Sequence, residues 1–584
     1  MKIRNYFFKN KNFYIPFVII FGILSLCPVF IKREFSLNVL TLSYIWAIMG
    51  TGWNLIGGYA GQFSNGHAVF YGIGAYVGAV MLKKWQISPW ISVWVGVLIS
   101  MAVAFVIGKL ILRLRGPFFA ISTMVIAECV RVIFLNWDFI GGSTGISFFF
   151  KKLPSLYTWQ YIEKAPFYYI CLLFLVVSVL IVQHLVTSKF GYYCRAIRAN
   201  QDSAESSGVN TALYKSLAYM ISAGICSIAG ALFAQYCQYL DPSMLVTSSN
   251  SMLIVLVTIM GGICTIWGPL LGAFLMIAIQ QYSKAAFSTV SGLSLFVYGC
   301  MVIIIALFLP NGLMSVFRKD TLVRSDPGLR EVRYRRTETE VIKMSAILEI
   351  KNATKKFGGL IANSDISFDV ERNSIIGVVG PNGAGKTTLF NSISCAHRIT
   401  SGQIIFDGKD VTKSDPHTVC KLGMGRTYQI PQTLTTMTVL ENIMVGAFCH
   451  HSKVADAEDH AKEIAEFCGL YGMKDDSAAK LNVMHKKRLE IARALAGDPK
   501  LLLLDETMAG LNGQERNDAI ELIRKINTRG VTILMIEHVM QVVMSVSEKV
   551  VVIVSGKKLM EGTAEEVTSN PEVINAYLGG GHNA

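Results

Sequence analysis

Paired cysteines are absent from this sequence, although it contains 12 cysteines in all. They are scattered singly without a C-x-x-C pair, and some, such as Cys171 and Cys226, lie inside apolar runs. Disulfide frameworks and zinc sites need cysteines in recurring close spacings. The pattern therefore argues against a disulfide-stabilised secreted scaffold and against a cysteine-ligated metal site.

Charged side chains are also scarce, at 16% of the chain, while hydrophobic residues make up 52%. The mean hydropathy of +0.44 lies above the range of soluble proteins of this size. At 584 residues the chain is too long for one core, so we expect two or more domains. The scarcity of charge is confined to the part before about residue 320. One part of the chain is therefore predicted to lie in lipid and the other in water.

Basic residues outnumber acidic ones, which gives a formal charge of +14, but no basic patch interleaved with aromatics is present. The excess is spread over the N-terminus, the loops and a basic segment near the middle of the chain. Lysine and arginine that flank membrane spans produce the same excess by attracting anionic headgroups. We therefore expect a lipid bilayer as partner and no nucleic acid.

Apolar runs of spanning or near-spanning length recur through the first part of the chain. In lipid every backbone amide needs an internal partner, so these runs are predicted to be helices. The first follows the basic stretch Met1 to Lys11 and is long enough to span without a cleavage site after it, so a retained helix is favoured over a signal peptide. The run at 250–262 is short and ends in Gly261-Gly262, so it is either a broken or a re-entrant helix, and the count of about ten is approximate. The runs lie at 14–31, 36–57, 64–82, 90–114, 117–135, 166–186, 214–236, 250–262, 268–283 and 294–310.

A polar, basic segment without periodicity, 318–343, separates the two parts of the chain. We interpret it as a linker close to the headgroups. Met344 then opens a stretch that resembles the start of a free-standing protein, with the strand pattern Ile347-Leu348-Glu349-Ile350. The expected organisation is a membrane domain at 1–317, the linker at 318–343 and a soluble domain at 344–584, as in a fusion of two genes.

A glycine-rich phosphate loop, G-x-x-x-x-G-K-T, follows the strand-like run that ends at Val379. Its glycines let successive backbone N–H groups face a phosphate at a helix N-terminus. Lys386 is expected to reach the β- and γ-phosphates of ATP, and the Thr387 hydroxyl to ligate Mg2+. The predicted ATP-binding residues of the loop are Gly380, Pro381, Asn382, Gly383, Ala384, Gly385, Lys386, Thr387 and Thr388.

Two later apolar runs end in side chains suited to catalysis. Leu501–Leu504 precedes Asp505 and Glu506, and the carboxyl ends of parallel strands are where α/β sheets bind ligands. Asp505 is the candidate partner of the magnesium shell, and Glu506 the candidate general base. His538 ends a further strand and is expected to contact the γ-phosphate. The count of about ten helices is even, so both chain termini are expected on the same side of the membrane. That side is the cytosol, because ATP is there, although the positive-inside pattern alone would not decide the orientation.

These motifs stand in the order found in the ATPases of ABC transporters, and residues 345–581 resemble that family. Further matching stretches resemble the ATPases of branched-chain amino acid importers: Phe357-Gly358-Gly359-Leu360, Arg426-Thr427-Tyr428-Gln429, Ala509-Gly510-Leu511-Asn512, Ile536-Glu537-His538 and the tail from Asn570 to Gly579. The resemblance implies that Phe357 stacks on adenine and that Gln429 senses the γ-phosphate. It also implies magnesium ligation by Thr387, Gln429 and Asp505, and a place for Asn512 at a dimer interface.

The chain departs from this family at the signature near Leu-Ser-Gly-Gly-Gln, which binds the γ-phosphate held by the opposite subunit. Side chains replace the glycines that allow close backbone approach. Thr507 also replaces the usual proline after Glu506. We hypothesise an asymmetric dimer in which a second ATPase with an intact signature completes this chain's site. The degenerate signature residues after Leu481 are Asn482, Val483, Met484 and His485.

Residues 30–315 resemble the permease subunit of the same importers, through Asn54–Tyr76, Arg113–Ala120, Gly141–Gly145, Trp267-Gly268-Pro269 and Pro310–Leu313. The glycines from Gly61 to Gly78 permit close helix packing without lining a pathway. Glu128 and Arg131, three apart on one helix, are expected to neutralise one another. Gln62 and His67 face the substrate path in one interpretation and serve packing in the other.

The polar loop from Gly191 to Tyr214 resembles the coupling segment by which importer permeases dock on their ATPases. Ala204, Glu205 and Gly208 lie in its matching stretch. A solvated linking helix is the alternative interpretation.

The resemblance implies ATP-driven import of branched-chain amino acids across the bacterial plasma membrane, with the ATPase in the cytosol. ATP and Mg2+ are the implied cofactors. A second permease, a second ATPase and an extracytoplasmic solute-binding protein are the implied partners. Importers of urea, short amides or aromatic acids share these motifs and remain alternatives. A nucleotide-gated membrane sensor is a further alternative, although a sensor needs no general base such as Glu506.

Overall fold

The structure, a computed structural model, describes residues 11–114, 116–148, 156–161, 163–287, 292–309, 312–317 and 346–578. The predicted linker 318–343 and Met344 lie outside these residues, as do Met1 to Asn10 of the basic N-terminus. The chain divides into two compact units. The first comprises Met1–Cys194 and Ala212–Thr321, and the second comprises Arg195–Thr211 and Leu322–Ala584.

The first unit is built almost entirely from helices, because its apolar runs satisfy their backbone hydrogen bonds internally. A π-helical turn, Asn54–Tyr59, continues α2, and one short antiparallel pair joins β1 (Ile146–Ser147) to β2 (Tyr239–Leu240). The helices, including three that overlap residues 195–211, are α1 Lys11–Phe30, α2 Glu34–Trp53, α3 Ala68–Trp85, α4 Pro89–Ile111, α5 Pro117–Leu135, α6 Lys164–Val186, α7 Lys189–Ala199, α8 Gln201–Ser206, α9 Thr211–Cys237, α10 Pro242–Leu245, α11 Ser248–Gly261, α12 Gly268–Ala286, α13 Leu293–Phe308 and α14 Met314–Phe317.

Each of the ten predicted apolar runs contains a helix. Among the described residues, seven segments are long and apolar enough to cross a membrane. Helices α3 and α12 are not among the seven, and α13 is shorter than 18 residues. The run at 250–262 forms the unbroken helix α11, which ends at Gly261 before the left-handed Gly262 and belongs to the 20-residue segment Pro242–Gly261.

Close helix packing in the first unit depends on small residues, as the glycine pattern predicts. A Cβ on Gly74 of α3 would collide with the carbonyl oxygen of Ser227 on α9, and one on Gly230 of α9 would collide with that of Tyr71 on α3. Backbones can therefore meet only where no side chain stands between them.

The polar side chains that the sequence singled out in this unit have hydrogen-bond partners within it. Arg131 Nε donates to both carboxylate oxygens of Glu128 at 3.0 Å, which confirms the expected pair. His67 is fully buried, and its two ring nitrogens are hydrogen-bonded to the hydroxyls of Ser64 (2.9 Å) and Ser222 (2.8 Å). These contacts favour the packing interpretation of His67. The Gln62 amide is half-buried and donates to the Ala60 carbonyl.

The second unit combines two sheets with surrounding helices. The first sheet has the order β12-β11-β5-β10-β9-β8, and the second the order β4-β3-β6-β7. The strands are β3 Ala346–Phe357, β4 Leu360–Glu371, β5 Ile375–Val379, β6 Ser401–Phe406, β7 Lys409–Asp410, β8 Met424–Arg426, β9 Leu501–Asp505, β10 Thr532–Ile536, β11 Lys549–Val554 and β12 Lys557–Gly562. The helices are α15 Lys386–Ile393, α16 Pro416–Lys421, α17 Val439–Ala447, α18 Val454–Phe467, α19 Val483–Leu495, α20 Gly513–Thr528, α21 Met540–Val546, α22 Ala564–Ser569 and α23 Pro571–Leu578.

The centre of the six-stranded sheet is parallel and apolar. All residues of β5, β9 and β10 are buried, as strands covered on both faces must be. Strand β10 lies between the other two, and its Ile536 is level with Val378 on one side and Asp505 on the other. The carboxyl ends of the three strands therefore meet at one edge, where the chain continues into the phosphate loop, Glu506 and His538.

Candidate functional site

The phosphate loop connects β5 to α15, and glycines hold it at its closest backbone contacts. Gly380 and Gly385 have φ values of +157° and +96°, and a Cβ at either position would collide with a carbonyl oxygen, that of Ile553 or Ala362. Gly383 has a φ of +78°, and a Cβ there would meet no described atom within 4 Å. The loop is thus packed against the protein on one side and open on the other.

Lys386 is held inside this loop. Its ammonium group donates to the carbonyl oxygens of Gly380 (2.7 Å) and Pro381 (2.9 Å), and the residue is buried. Burial lowers the pKa of Lys386, while the nearby carboxylates of Glu506 and Asp505 oppose the shift. The charge stands where the open side of the loop would receive a polyphosphate.

A cavity of about 1090 Å³ opens over the loop. Phe357, all loop residues from Asn382 to Thr388, Gln429, Glu506 and His538 line it. The structure therefore brings together most of the residues that the sequence singled out. Gly380, Pro381 and Asp505 are not part of the lining, because the two loop residues lie behind it and Asp505 is buried beneath it.

Glu506 lies between two polar partners. Gln429 donates its amide to one carboxylate oxygen at 2.8 Å, and His538 Nε2 is hydrogen-bonded to the other at 2.8 Å. Glu506 also has a left-handed backbone, with φ of +49°, and its N–H donates to the Ile536 carbonyl. Such a conformation is uncommon outside glycine and asparagine and occurs at functional sites.

Asp505 supplies a buried carboxylate with an unused oxygen. Its Oδ1 accepts no hydrogen bond from any residue that the structure describes, and its Oδ2 lies 3.8 Å from the Arg426 guanidinium. Burial raises the pKa of Asp505 to about 6, although Arg426 counteracts the shift. This unpartnered carboxylate oxygen and the hydroxyl of the exposed Thr387 are both of the ligand type that Mg2+ prefers.

Phe357 has an exposed ring at the edge of the cavity. It packs edge-on against His397, with ring centroids 5.6 Å apart, and the Lys355 ammonium lies 4.7 Å from its centroid. A ring in this position can stack on a planar base that enters the cavity.

Two buried charges beneath the site were missed in the sequence. Glu537 accepts from Met508 N–H (2.9 Å) and the Thr507 hydroxyl (3.4 Å), and burial raises its pKa to about 7. Lys487 donates to the carbonyl oxygens of Glu506 (3.2 Å) and Ala509 (2.6 Å). The position of Glu537 directly before His538 at the end of a buried strand was the available signal.

The degenerate signature lies at the start of α19. The Asn482 side-chain oxygen accepts from the His485 N–H at 2.8 Å, so it caps its own helix. Val483 and Met484 occupy the first helical turn, and Val483 is 57% exposed. An apolar side chain therefore projects from the turn where the family places glycine.

Residues Arg195–Thr211, which the chain inserts between α6 and α9, belong to the second unit. Asn200 Nδ2 and Ser203 Oγ donate to the side-chain and backbone oxygens of Gln432, both at 2.6 Å. Arg195 pairs with Glu441 at 2.7 Å. This segment is therefore packed within the second unit and is not a solvated linking helix.

The predicted residues of this segment have distinct positions. Ala204 is fully buried, and Glu205 accepts hydrogen bonds from Thr211 and Gln201 within the segment. Gly208 has a φ of +83°, and a Cβ there would collide with Cys449 Sγ.

Glu490 links the groove under this segment to α19. Its carboxylate is buried and accepts from the N–H groups of Gln432 (2.7 Å) and Tyr428 (3.3 Å). Tyr428 precedes Gln429, the residue that contacts Glu506, and donates its hydroxyl to the Asp202 carbonyl at 3.3 Å. Glu506 is thus connected to this segment by hydrogen bonds at Gln429 and Tyr428, which are adjacent in the chain.

Comparison with known families gives three matches along the chain. Residues 35–306 match the permease component of branched-chain amino acid transport systems, and residues 363–509 match ABC transporters. Residues 557–583 match a family described as branched-chain amino acid ATP-binding cassette transporters.

Individual relatives match the second unit. A probable branched-chain amino acid transport ATP-binding protein, LivG of Archaeoglobus fulgidus, is 37% identical over 40% of this chain and 95% of its own length. BraF of Pseudomonas aeruginosa, a high-affinity branched-chain amino acid transport ATP-binding protein, is 37% identical over 40% of this chain and 98% of its own. A crystal structure of a nucleotide-free ATP-binding cassette from an ABC transporter is 30% identical, covers 40% of this chain and 98% of its own, and has a TM-score of 0.37.

The second unit thus matches ABC ATP-binding proteins over nearly their whole length, and it follows a helical region with a permease match of its own. ATP hydrolysis by this ATP-binding cassette is coupled to transport. The chain belongs to the ABC transporter family of branched-chain amino acid transport systems and carries a permease region and an ATP-binding region in one polypeptide.

Proposed function

We propose that this protein imports branched-chain amino acids across the bacterial plasma membrane at the expense of ATP. The observation that carries the proposal is that the permease match and the C-terminal match both belong to branched-chain amino acid systems. The residues that line a cavity of about 1090 Å³, including the phosphate loop, lie between these two matches in the sequence. The ATPase unit lies in the cytosol, where its substrate is.

Glu506 is the proposed general base. A carboxylate that is held by Gln429 on one side and by His538 on the other is positioned to polarise a water directed at the γ-phosphate. Lys386 and the N–H groups of the loop bind the phosphates, while Phe357 receives the adenine ring. His538 contacts the γ-phosphate from the end of β10.

Thr387, Gln429 and Asp505 are the proposed magnesium ligands. The unpartnered Oδ1 of Asp505 supports this assignment, because a buried carboxylate oxygen without a donor is costly unless a cation or water satisfies it. Mg2+ at this position neutralises charge on the phosphates.

A second ATPase subunit with an intact signature is the proposed partner. The exposed Val483 and the self-capping Asn482 leave this chain's own α19 poorly suited to bind phosphate, so a homodimer would have two poor sites. A second permease and an extracytoplasmic solute-binding protein complete the proposed assembly.

Residues Arg195–Thr211 are proposed to transmit the motion of the ATPase to the permease region. The support is that Gln429 is hydrogen-bonded to Glu506, while its chain neighbour Tyr428 is hydrogen-bonded to Asp202 of the segment. When Gln429 shifts with the nucleotide, the neighbouring backbone that holds the segment shifts with it.

Uptake of labelled leucine and labelled urea tests the proposed function. Cells that contain the assembly with either the natural chain or Glu506→Gln are compared. ATP-dependent leucine uptake that Glu506→Gln abolishes supports the proposal. Urea uptake in place of leucine uptake would contradict the proposed substrate. Uptake of neither solute, when the assembly still binds ATP normally, would favour a membrane sensor.

A further inference from the structure

Two histidines and an aspartate converge in the second unit, outside the nucleotide cavity. His451 lies between α17 and α18, His460 lies on α18, and Asp498 follows α19. One potential ligand atom from each residue lies within 4.8 Å of the other two. A loop, a helix and the residue after another helix therefore present metal-ligating atoms to one place.

The central member of this cluster, His460, has an unsatisfied nitrogen. Its Nε2 is buried and forms no hydrogen bond with the described part of the chain. The Asp498 carboxylate oxygen lies 3.5 Å away, beyond good hydrogen-bonding distance, and the His451 ring centroid lies 5.0 Å from that of His460. A contact of this length leaves the buried nitrogen poorly satisfied, and a bound cation would satisfy it.

The backbone around the cluster is well supported. The N–H of His451 donates to the Ala447 carbonyl (3.0 Å), and the N–H of Asp498 donates to the Leu495 carbonyl (2.9 Å). Asp498 has a left-handed backbone with φ of +46°. His451 and Asp498 thus follow hydrogen-bonded helix ends, and His460 lies within α18, so none of the three projects from a long loop. This support favours a defined geometry.

We propose that His451, His460 and Asp498 form a structural binding site for a zinc-class divalent transition metal. Ligand bonds of about 2.0–2.2 Å in tetrahedral geometry place neighbouring ligand atoms about 3.3 Å apart. The separation of His460 and Asp498 is already close to this value, and rotation of the His451 side chain closes the third side. Imidazole nitrogens select zinc-class metals over Mg2+ and Ca2+, which prefer oxygen ligands. Water completes the fourth position.

Occupancy of this site would restrain the groove that holds residues Arg195–Thr211. Two residues before His451, Cys449 donates its Sγ hydrogen to the Ser207 carbonyl at 3.3 Å and lies against Gly208. A metal that ties His451 to α18 and to the end of α19 would therefore fix the chain segment in which Cys449 lies. The site would stiffen the contact surface of the segment without taking part in hydrolysis.

Zinc binding by the purified full-length chain tests this proposal. The chain, without a polyhistidine tag or nucleotide, is stripped with a chelator and titrated with Zn2+ in competition with a chromophoric chelator. The natural chain is expected to bind one Zn2+ more than His451→Gln or Asp498→Asn, each of which should lower the affinity at least tenfold. His450→Gln is the matched control, because His450 is the adjacent histidine but contacts the Gly497 carbonyl instead.

Two comparisons separate the metal site from a simple His460–Asp498 ion pair. His451→Gln leaves that pair intact, so unchanged zinc binding in this variant would overturn the proposal, as would the absence of zinc binding by the natural chain. Asn tolerates the left-handed backbone at position 498, so Asp498→Asn is expected to fold. ATP binding by each variant verifies folding, and Co2+ absorption that disappears in both ligand variants but persists in His450→Gln would support the site.

Discussion

The carboxylate of Glu506 has hydrogen-bond partners on both oxygens, and each partner belongs to a different element. Gln429 follows β8 and His538 follows β10, so the position of the carboxylate reports the arrangement of the sheet edge. A side chain that is held on both sides loses little further freedom when it orients a water molecule. We therefore expect that a change in the Glu506 carboxylate can alter ATP hydrolysis without disturbing the fold.

Replacement of the proposed base tests this expectation. Glu506→Gln is expected to lower ATP hydrolysis by about 10²- to 10⁴-fold, the usual contribution of a general base, while ATP binding persists. Phosphate release and nucleotide binding, measured on the complete transporter, give the two readouts. Glu548→Gln, which changes an exposed carboxylate outside the cavity, is the control. Equal hydrolysis in both variants would exclude Glu506 as the base.

The buried Glu537 is expected to make stability depend on pH. Its folded-state pKa of about 7 exceeds the usual 4.5, so the folded chain retains a proton that the unfolded chain loses. Stability is therefore predicted to fall as pH rises from about 4.5 to about 7, by at most about 1.4 kcal/mol per pH unit. Glu537→Gln should flatten the profile of melting temperature against pH over this window, whereas Glu548→Gln should not. Parallel profiles for the natural chain and Glu537→Gln would contradict the assignment.

At this scale the sequence identified residues whose role is local and missed those whose role depends on distant neighbours. Lys386 and Thr387 belong to one short motif, so spacing alone assigned them to a phosphate loop. Lys487 and Glu490 look like ordinary charges on a polar helix. Their burial under Glu506 and Gln432 arises only when α19 packs against the sheet edge.

Among the elements, the segment Arg195–Thr211 has the most unusual position. It is inserted in the sequence of one unit and folds with the other. Gly208 allows its close approach to Cys449, because this position combines a left-handed backbone with no room for a Cβ. Docking and backbone strain can therefore be tested separately.

Gly208→Ala is predicted to uncouple transport from hydrolysis. The substitution adds left-handed strain of about 1–2 kcal/mol and a clash with Cys449, so the segment should leave its groove while the nucleotide cavity stays intact. Gly530→Ala carries the same backbone strain, with φ of +87°, but no described atom lies within 4 Å of its Cβ position. Solute uptake per ATP hydrolysed is the measurement. An equal loss in both variants would mean that strain alone is responsible.

The elements themselves were largely predictable, and their ends were not. Ten apolar runs became ten helices because lipid leaves helices as the available structure for single apolar spans. The short run at 250–262 suggested a broken or re-entrant helix. Helix α11 is continuous through this run, but the non-helical Val246 and Thr247 separate it from α10 within the 20-residue apolar segment Pro242–Gly261. Helix α10 contains only four residues, and its sequence pattern is too short to be recognised.

For the molecule as a whole, the start of α19 bears on the proposed partnership with a second, unlike ATPase. Val483 projects from the turn that would approach a phosphate, while Lys386, Asp505 and Glu506 are all in place in the same chain. One chain therefore combines a well-formed phosphate loop with a signature that is poorly suited to bind phosphate. Unequal sites in the complete transporter are the expected consequence.

Restoration of the signature tests the unequal sites. The purified chain without a second ATPase is predicted to hydrolyse ATP slowly. The combined change Asn482→Ser, Val483→Gly, Met484→Gly and His485→Gln should raise its rate by on the order of tenfold or more, because backbone donors then reach the phosphate. Steady-state hydrolysis of the two chains is compared, with Glu506→Gln added to each as the blank. Full transport-linked rates in the unaltered chain would contradict the asymmetric dimer.

The insertion of residues 195–211 into the ATPase unit also affects what a cut in the chain would do. An engineered protease site within residues 318–343 would place that segment on the N-terminal fragment and its groove, including Gln432 and Glu441, on the C-terminal one. The two fragments would then be joined by the non-covalent contacts between this segment and its groove, as separately encoded subunits are. Fusion in this transporter would thus guarantee equal numbers of the two halves rather than hold them together.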